Sequence, residues 1–409
     1  MQDKTLSFIM KEFKRYYKAE KLEPPDRLSR REFGFMFFDR SFVLRHIGFS
    51  NRQELKEYII NNLPAHLYYS SAYYENPNAQ TMADKKWMGA DLVFDLDADH
   101  VRGAQGLTYP EMLRKVKLEV IRLLDEFILG DFGFSCEHVR IVFSGGRGYH
   151  VHVNDSRVLS LGSHERREIV DYITGTDLDF DWVFLQKGFD ARSYADSTHV
   201  MRKVLMPDPN SGGWRGKMSR GIRRFILELE AMGEDGAVER FGKLKSGTPP
   251  RAIGEKTIRQ MYRELFGRKG DGVRGADRII RENNLEVFSK QTYLTAFLRL
   301  VENHVKISLV GETDEPVTSD IRRLIRMPSS LHGKTGLRVT TLTRDELDDF
   351  DPLRDAFPRT LSDDPVKLIL KEPFEMKLKG EQLKLDEGEN EVPAYAALFL
   401  CCRKTAEIA

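Results

Sequence analysis

The carboxylates Asp95 and Asp97 are the first residues whose type and spacing could do chemistry. They close the run Ala90-Asp-Leu-Val-Phe-Asp-Leu-Asp-Ala98, whose apolar content reads as a buried strand. Side chains alternate faces along a strand, so Phe94 and Leu96 enter the core while both carboxylates leave on the opposite face. Like charges this close repel unless a cation neutralises them. Hard divalent ions such as Mg²⁺ take oxygen ligands of this kind together with substrate phosphates. The plainer reading is a solvated strand end, but the pair follows an apolar run instead of sitting in a polar loop.

Two further constellations follow. Ser144-Gly-Gly-Arg-Gly-Tyr-His150 comes after a strand at Val139–Phe143 and leads into another at Tyr149–Val153. A glycine-rich turn lets backbone N–H groups approach an anion, and Arg147 and His150 add charge or hydrogen bonds. A plain strand-to-strand turn would look similar. His152 alternates with His150 and reads as a buried structural residue. Further on, Asp314 follows an expected strand, Val305–Leu309. A short helix, Asp320 to Arg326, then carries Arg322, Arg323 and Arg326, and a loop carries His332 and Lys334. Gly333-Lys-Thr is not a P-loop, because that motif needs glycine at position 328 and proline stands there.

Periodicity supplies the elements that position these groups. A helix is expected over Leu6–Tyr17, a hairpin over Phe33–His46 and a helix over Arg52–Asn61. Another apolar helical stripe runs from Pro110 to Leu129. Pro207–Gly216 reads as a linker. Helical segments follow to about Asn303, broken by loops such as Ser246-Gly-Thr-Pro-Pro250. The fold class is therefore α/β, a mixed α+β core interrupted by a mostly helical insertion. The expected division is 1–206 for the first part of the core, 207–303 for the basic insertion and 304–409 for the rest.

Composition limits the function classes. The 409 residues are 41% hydrophobic, which excludes a disordered chain. No apolar run approaches the roughly 20 residues of a membrane helix. Three cysteines, two of them adjacent, build neither a disulfide framework nor a four-thiolate zinc site. The expectation is a soluble, cytoplasmic protein, associated with the nucleoid if it acts on DNA. The net charge of +1 hides a gradient. Arg202–Ile280 is rich in Lys and Arg, whereas Arg344–Ala409 is acidic, and local charge is what steers a polyanion.

Taken in order, Phe94-Asp-Leu-Asp-Ala-Asp-His100, Ser144–His150 and Asp314-Glu-Pro-Val-Thr-Ser-Asp-Ile-Arg-Arg-Leu-Ile-Arg326 through Leu331-His-Gly-Lys-Thr-Gly336 resemble the motifs of the archaeo-eukaryotic primases. The chain resembles the small, catalytic subunits of archaeal DNA primases, and the likeness runs nearly end to end. The resemblance implies that Asp95, Asp97 and Asp314 hold two divalent ions, Mg²⁺ or Mn²⁺. It also implies that Ser144, Arg147, His150, Arg326 and His332, with Arg31 as a further candidate, bind the nucleotide. Asp91, Asp99 and Asp320 read as structural: a strand start, a post-strand cap and a helix start.

The implied activity is synthesis of short RNA primers, with DNA as an alternative product, on single-stranded DNA. NTPs or dNTPs would be the substrates and diphosphate the leaving group. The implied partner is a large primase subunit carrying an iron–sulfur cluster. Two departures stand out. The interval His100–Ser135 lacks the cysteines of the family's zinc knuckle, so no structural zinc is expected, and position 146 is glycine where eukaryotic relatives carry a second arginine. The alternatives are an end-joining repair polymerase of the same family, a phosphatase of the haloacid-dehalogenase kind, and a non-catalytic single-strand-binding module. The second leaves two motifs unexplained. The third needs stacking aromatics in a basic groove; Trp214, Phe225, Phe241, Tyr262 and Phe266 lie in the basic segment, but several of them have helical spacing and read as core.

Overall fold

A computed structural model describes residues 3–178, 185–194, 197–242, 245–246, 251–268, 270, 272–309 and 311–409. The chain divides into two compact units, Met1–Ile173 with Glu312–Ala409, and Thr174–Gly311. The breaks expected at 206/207 and 303/304 thus move to 173/174 and 311/312. The reason is that the hairpin Leu185–Tyr194/Ser197–Leu205 belongs to the insertion, and Met206 N–H is bonded to Asn283 O.

The first unit is built on two four-stranded antiparallel sheets. One has the order Leu324–Arg326, His66–Ser70, Phe33–Met36, Leu44–Ile47. The other has the order Thr340–Leu342, Val139–Phe143, Gly148–Val153, Leu92–Asp97. In the second sheet the alternation is as expected: Phe94 and Leu96 are buried while Asp95 and Asp97 are partly open. Helix Tyr109–Arg122 packs behind it through Leu113, Val116 and Val120. A capping box of Thr108 and Glu111, with Pro110 in the first turn, fixes its start. The helix then widens into π-type turns over Leu123–Asp131. On the carboxylate face, Val93 meets Ile325 of the first sheet and Val317. Tyr69 stacks on His152, which is buried as the sequence suggested.

A third sheet, Gly388–Pro393, Pro365–Leu370, Ala406–Ile408, closes this unit. Helix Ala394–Cys402 lies beside it with all nine residues buried. Helices Asp3–Ala19 and Arg52–Asn62 and the hairpin of Phe33–Met36 with Leu44–Ile47 match their expected positions.

Three local expectations are corrected. Val305–Leu309 continues helix Gln291–Leu309 instead of forming a strand. A five-residue alternation fits either period, and the preceding helical run propagates through it. The helix near the third motif spans Glu315–Ser319, and Leu324–Arg326 is a strand paired with His66–Ser70. Asp320 therefore follows that helix, and its carboxylate accepts from Arg322 N–H. Pro207–Gly216 is no linker: Gly213–Gly216 opens helix Gly213–Phe241, where Trp214 is buried.

The second unit holds that helix with helices Glu255–Phe266, Gly275–Glu282 and Gln291–Leu309. Phe225 and Phe241 are buried in it. Several of its cations are consumed internally. Arg259 pairs with Glu234, Asp235 and Glu255, Arg263 with Glu234, and Arg274 with Glu230 and Asp277. Of the loop Ser246–Pro250, residues 247–250 lie outside the described residues.

Candidate active site

The edge strand Leu92–Asp97 places Asp95 opposite His150 and Asp97 opposite Gly148. Asp95 Oδ1 lies 3.4 Å from His150 Nε2. A Cβ at Gly148 would stand 2.5 Å from Leu96 O, so the close approach of these two strands requires glycine. Asp314 comes from a distant part of the chain. Its N–H donates to Asp95 O at 2.9 Å, which fixes the third acid beside the first, and its residue opens helix Glu315–Ser319. Burial together with the charges of Asp97 and Asp314 pushes the Asp95 carboxyl up to about 7, although Arg323 and His100 pull the other way.

The glycine-rich turn has a packing role that the sequence did not reveal. Gly145 has φ 76°, and a Cβ there would meet His332 Cβ at 2.7 Å. One at Gly146 would meet His332 Nε2 at 3.0 Å. The two glycines therefore make the bed on which the His332 ring lies. Thr335 Oγ1 locks the arrangement by donating to Gly145 O at 2.5 Å. Ser144 Oγ accepts from the N–H groups of Gly146 and Gly148, at 3.4 and 3.3 Å, and so holds the turn itself. Arg147 is paired with Asp99 and lies 3.6 Å from Asp97 Oδ1. Asp99 is thus the partner of Arg147 as well as a residue following the strand.

Three histidines are kept neutral. Burial, aided by Arg326 and Arg323, lowers His150 to about 3. Burial with Arg326 and Lys334 lowers His66 to about 3, and burial above all takes His332 well below its ordinary value. Neutral His66 accepts at Nδ1 from Arg326 Nη1 at 2.7 Å and from Gly333 N–H at 3.2 Å. It thereby aims the Arg326 guanidinium, which also lies over the Tyr68 ring. His150 and His332 therefore line the cleft as neutral groups rather than as positive charges.

Asp95, Asp97, Ser144, Arg147, His150, Arg326 and His332 line one cleft of about 690 Å³. Asp314 adjoins it through the backbone of Asp95. Arg31 is elsewhere. Its side chain is buried, bonded to Asp91 Oδ2 at 2.6 Å and to the carbonyls of Ser70 and Ser71, and stacked on Tyr73. A guanidinium so fully committed neutralises the buried Asp91, and Arg31 does not line the cleft.

The cleft wall also contains Tyr68, Tyr109, Arg323, Lys334, Arg403 and Lys404. Arg323 and Lys334 were visible inside the third motif. Tyr109, Arg403 and Lys404 carry no local pattern, and Arg403 and Lys404 belong to a stretch whose average charge is negative. In all, six cationic side chains and two carboxylates line the cleft. A wall of that kind suits a polyphosphate beside divalent ions.

The DNA primase small subunit family model matches residues 94–344, which spans all three constellations. The chain belongs to that family. It is 40% identical over 413 residues to the DNA primase small subunit PriS of Methanothrix thermoacetophila, covering the whole of both chains. It is 42% identical over 410 residues to that of Methanococcoides burtonii, covering 100% and 99%. The PriS of Picrophilus torridus is 39% identical over 401 residues, covering 97% and 96%. Among the described residues no helix is long and apolar enough to cross a membrane.

Proposed function

We propose that the cleft carries out templated nucleotidyl transfer as the catalytic subunit of a DNA primase, joining NTPs into short RNA primers on single-stranded DNA and releasing diphosphate. The observation that supports this most is the juxtaposition of three acids, Asp95, Asp97 and Asp314, with a wall of cations and neutral histidines. Asp95 and Asp97 on one strand face, with Asp314 bonded to the Asp95 backbone, support a divalent-ion site, and the Asp95 carboxyl, raised by burial and then by the charges of Asp97 and Asp314, is a group such ions would relieve. Mg²⁺ or Mn²⁺ bound by these aspartates would polarise the attacking 3′-hydroxyl and neutralise charge on the leaving diphosphate.

The chain's own residues do the remainder. Arg147, Arg326 and Lys334 supply fixed positive charge to the triphosphate, and His150 and His332 line the cleft without adding charge. Ser144 and the glycines keep the turn that carries Arg147 in one shape. Positioning and electrostatics account for catalysis of this type, so no nucleophilic side chain is needed. The family's small-subunit character supports a large-subunit partner and a DNA template.

The test is primer synthesis by the purified chain on unprimed single-stranded DNA, with and without Mg²⁺ or Mn²⁺. Metal-dependent products are expected from the wild type and none from Asp97→Ala or Asp314→Ala, with both variants folded. Full activity in Asp314→Ala would overturn the assignment of the third acid. A folded wild type that makes no product, even on a primed template with its large subunit, would overturn the reading as a polymerase.

A further inference from the structure

The end of helix Ala394–Cys402 delivers two cations to the cleft, and the geometry points to a second phosphate-holding element made by Arg403 and Lys404. The inference rests on the nucleotidyl-transfer reading and names additional residues for its substrate. The helix is anchored by complete burial, and the chain leaves it in a tight turn. Arg403 N–H bonds to Phe399 O, Lys404 N–H to Cys401 O and Thr405 N–H to Leu400 O. Lys371 N–H bonds to Thr405 O, and strand Ala406–Ile408 then pairs with Pro365–Leu370. The turn is therefore clamped on both sides.

Within it Lys404 takes φ 63°, a left-handed conformation for which glycine or asparagine is the usual choice after a helix. Lys404 so placed lines the wall of the cleft. The Arg403 guanidinium lies 4.6 Å from the centre of the Tyr109 ring and 5.3 Å from that of Phe399. Tyr109 in turn donates from its hydroxyl to Gly146 O at 2.6 Å, which ties this wall to the glycine-rich turn. Arg403 Nε is buried with no hydrogen-bond partner. Arg147 of the same cleft is paired with Asp99, whereas the ion pairs among the described residues include neither Arg403 nor Lys404. The helix also packs against the His332 loop, since a Cβ at Gly336 would meet Leu398 Cγ at 2.8 Å.

A guanidinium stacked on Tyr109 and the exposed ammonium next to it, both lining the cleft that Asp95 and Asp97 also line, suit an anion with several charges, the phosphate chain of a nucleoside triphosphate. Two such chains are present in primer synthesis, that of the incoming nucleotide and that of the initiating one. Both have the same chemistry, and the test separates them.

The full chain and its Arg403→Ala, Arg403→Lys and Lys404→Ala variants would be compared in two reactions. One is single-nucleotide addition to an annealed primer with a 5′-hydroxyl. The other is dinucleotide formation on unprimed template. Each alanine variant is expected to raise nucleotide KM about tenfold with kcat little changed, and Arg403→Lys to recover part of the loss. Inhibition by inorganic tripolyphosphate should weaken in parallel. An effect in both reactions assigns the pair to the incoming nucleotide, and an effect confined to dinucleotide formation assigns it to the initiating one. Unchanged KM and unchanged tripolyphosphate inhibition in both reactions would overturn the inference. So would a loss in Arg403→Ala that appears only as thermal destabilisation while Lys404→Ala behaves as wild type. Calorimetric binding of tripolyphosphate to the same proteins decides the matter even if the wild type transfers no nucleotide, which would count against the polymerase reading alone.

Discussion

Replacing Asp95 with asparagine should stabilise the metal-free chain while abolishing nucleotide transfer. The native environment raises this carboxyl from 3.8 to about 7, through burial and the neighbouring Asp97 and Asp314. A folded-state value above the unfolded one means that the native protein holds a proton the unfolded chain has released. Stability contributed by the protonated group is complete below pH 3.8 and is lost progressively as pH rises to about 7. At about 1.4 kcal/mol per unit the full penalty would be about 4 kcal/mol. The side chain is 20% exposed, and solvent screening reduces the expected figure to about 2 kcal/mol. Asparagine has the shape of the neutral acid and carries no such penalty. In chelator, thermal unfolding of Asp95→Asn should therefore exceed wild type by about 4 °C at pH 8, with the gap closing toward pH 4. Millimolar Mg²⁺ or Mn²⁺ should raise the wild type and leave the variant unmoved. A variant less stable than wild type at pH 8, or a gap independent of pH, would refute the argument that burial and the neighbouring acids disfavour the charged carboxylate.

Three further outcomes follow from the same geometry. Arg147→Ala removes a cation of the phosphate wall and should raise nucleotide KM by about tenfold or more while kcat changes less, measured in single-nucleotide addition. Arg31→Met should cost about 3–5 kcal/mol in denaturant unfolding, because it leaves Asp91 buried with Tyr73 as its remaining side-chain partner, yet the folded fraction should keep its nucleotide KM. Gly145→Ala forces a Cβ to within 2.7 Å of His332 at a positive φ, so a loss of at least about 1 kcal/mol and a weakened nucleotide KM are expected together.

The local chemistry of this protein is written in its sequence. Asp95 and Asp97 share a face because side chains alternate along any strand, and the apolar residues between them decide which face is buried. The turn at Ser144–Gly148, the helix behind it and the strands around it follow from glycine, capping and periodicity. The three ordered motifs brought the right family and most of the cleft.

Longer-range decisions were not legible. Leu324–Arg326 becomes a strand because an edge of the His66–Ser70 strand is there to pair with it, which overrides a helical reading of the seven residues Asp320 to Arg326. Val305–Leu309 stays helical because its alternation is too short to outweigh the helix it continues. Arg31 has the look of a phosphate ligand until the fold buries Asp91 against it. The glycines at 145 and 146 read as an anion turn, and only the packing of His332 shows that they also seat a histidine. Arg403 and Lys404 enter the cleft from an acidic stretch of chain, since position in space is set by how a buried helix docks and not by the average charge around it. Sequence fixes what is decided between near neighbours; contacts between distant residues depend on which buried surfaces fit together, and that choice is made only when the chain is folded.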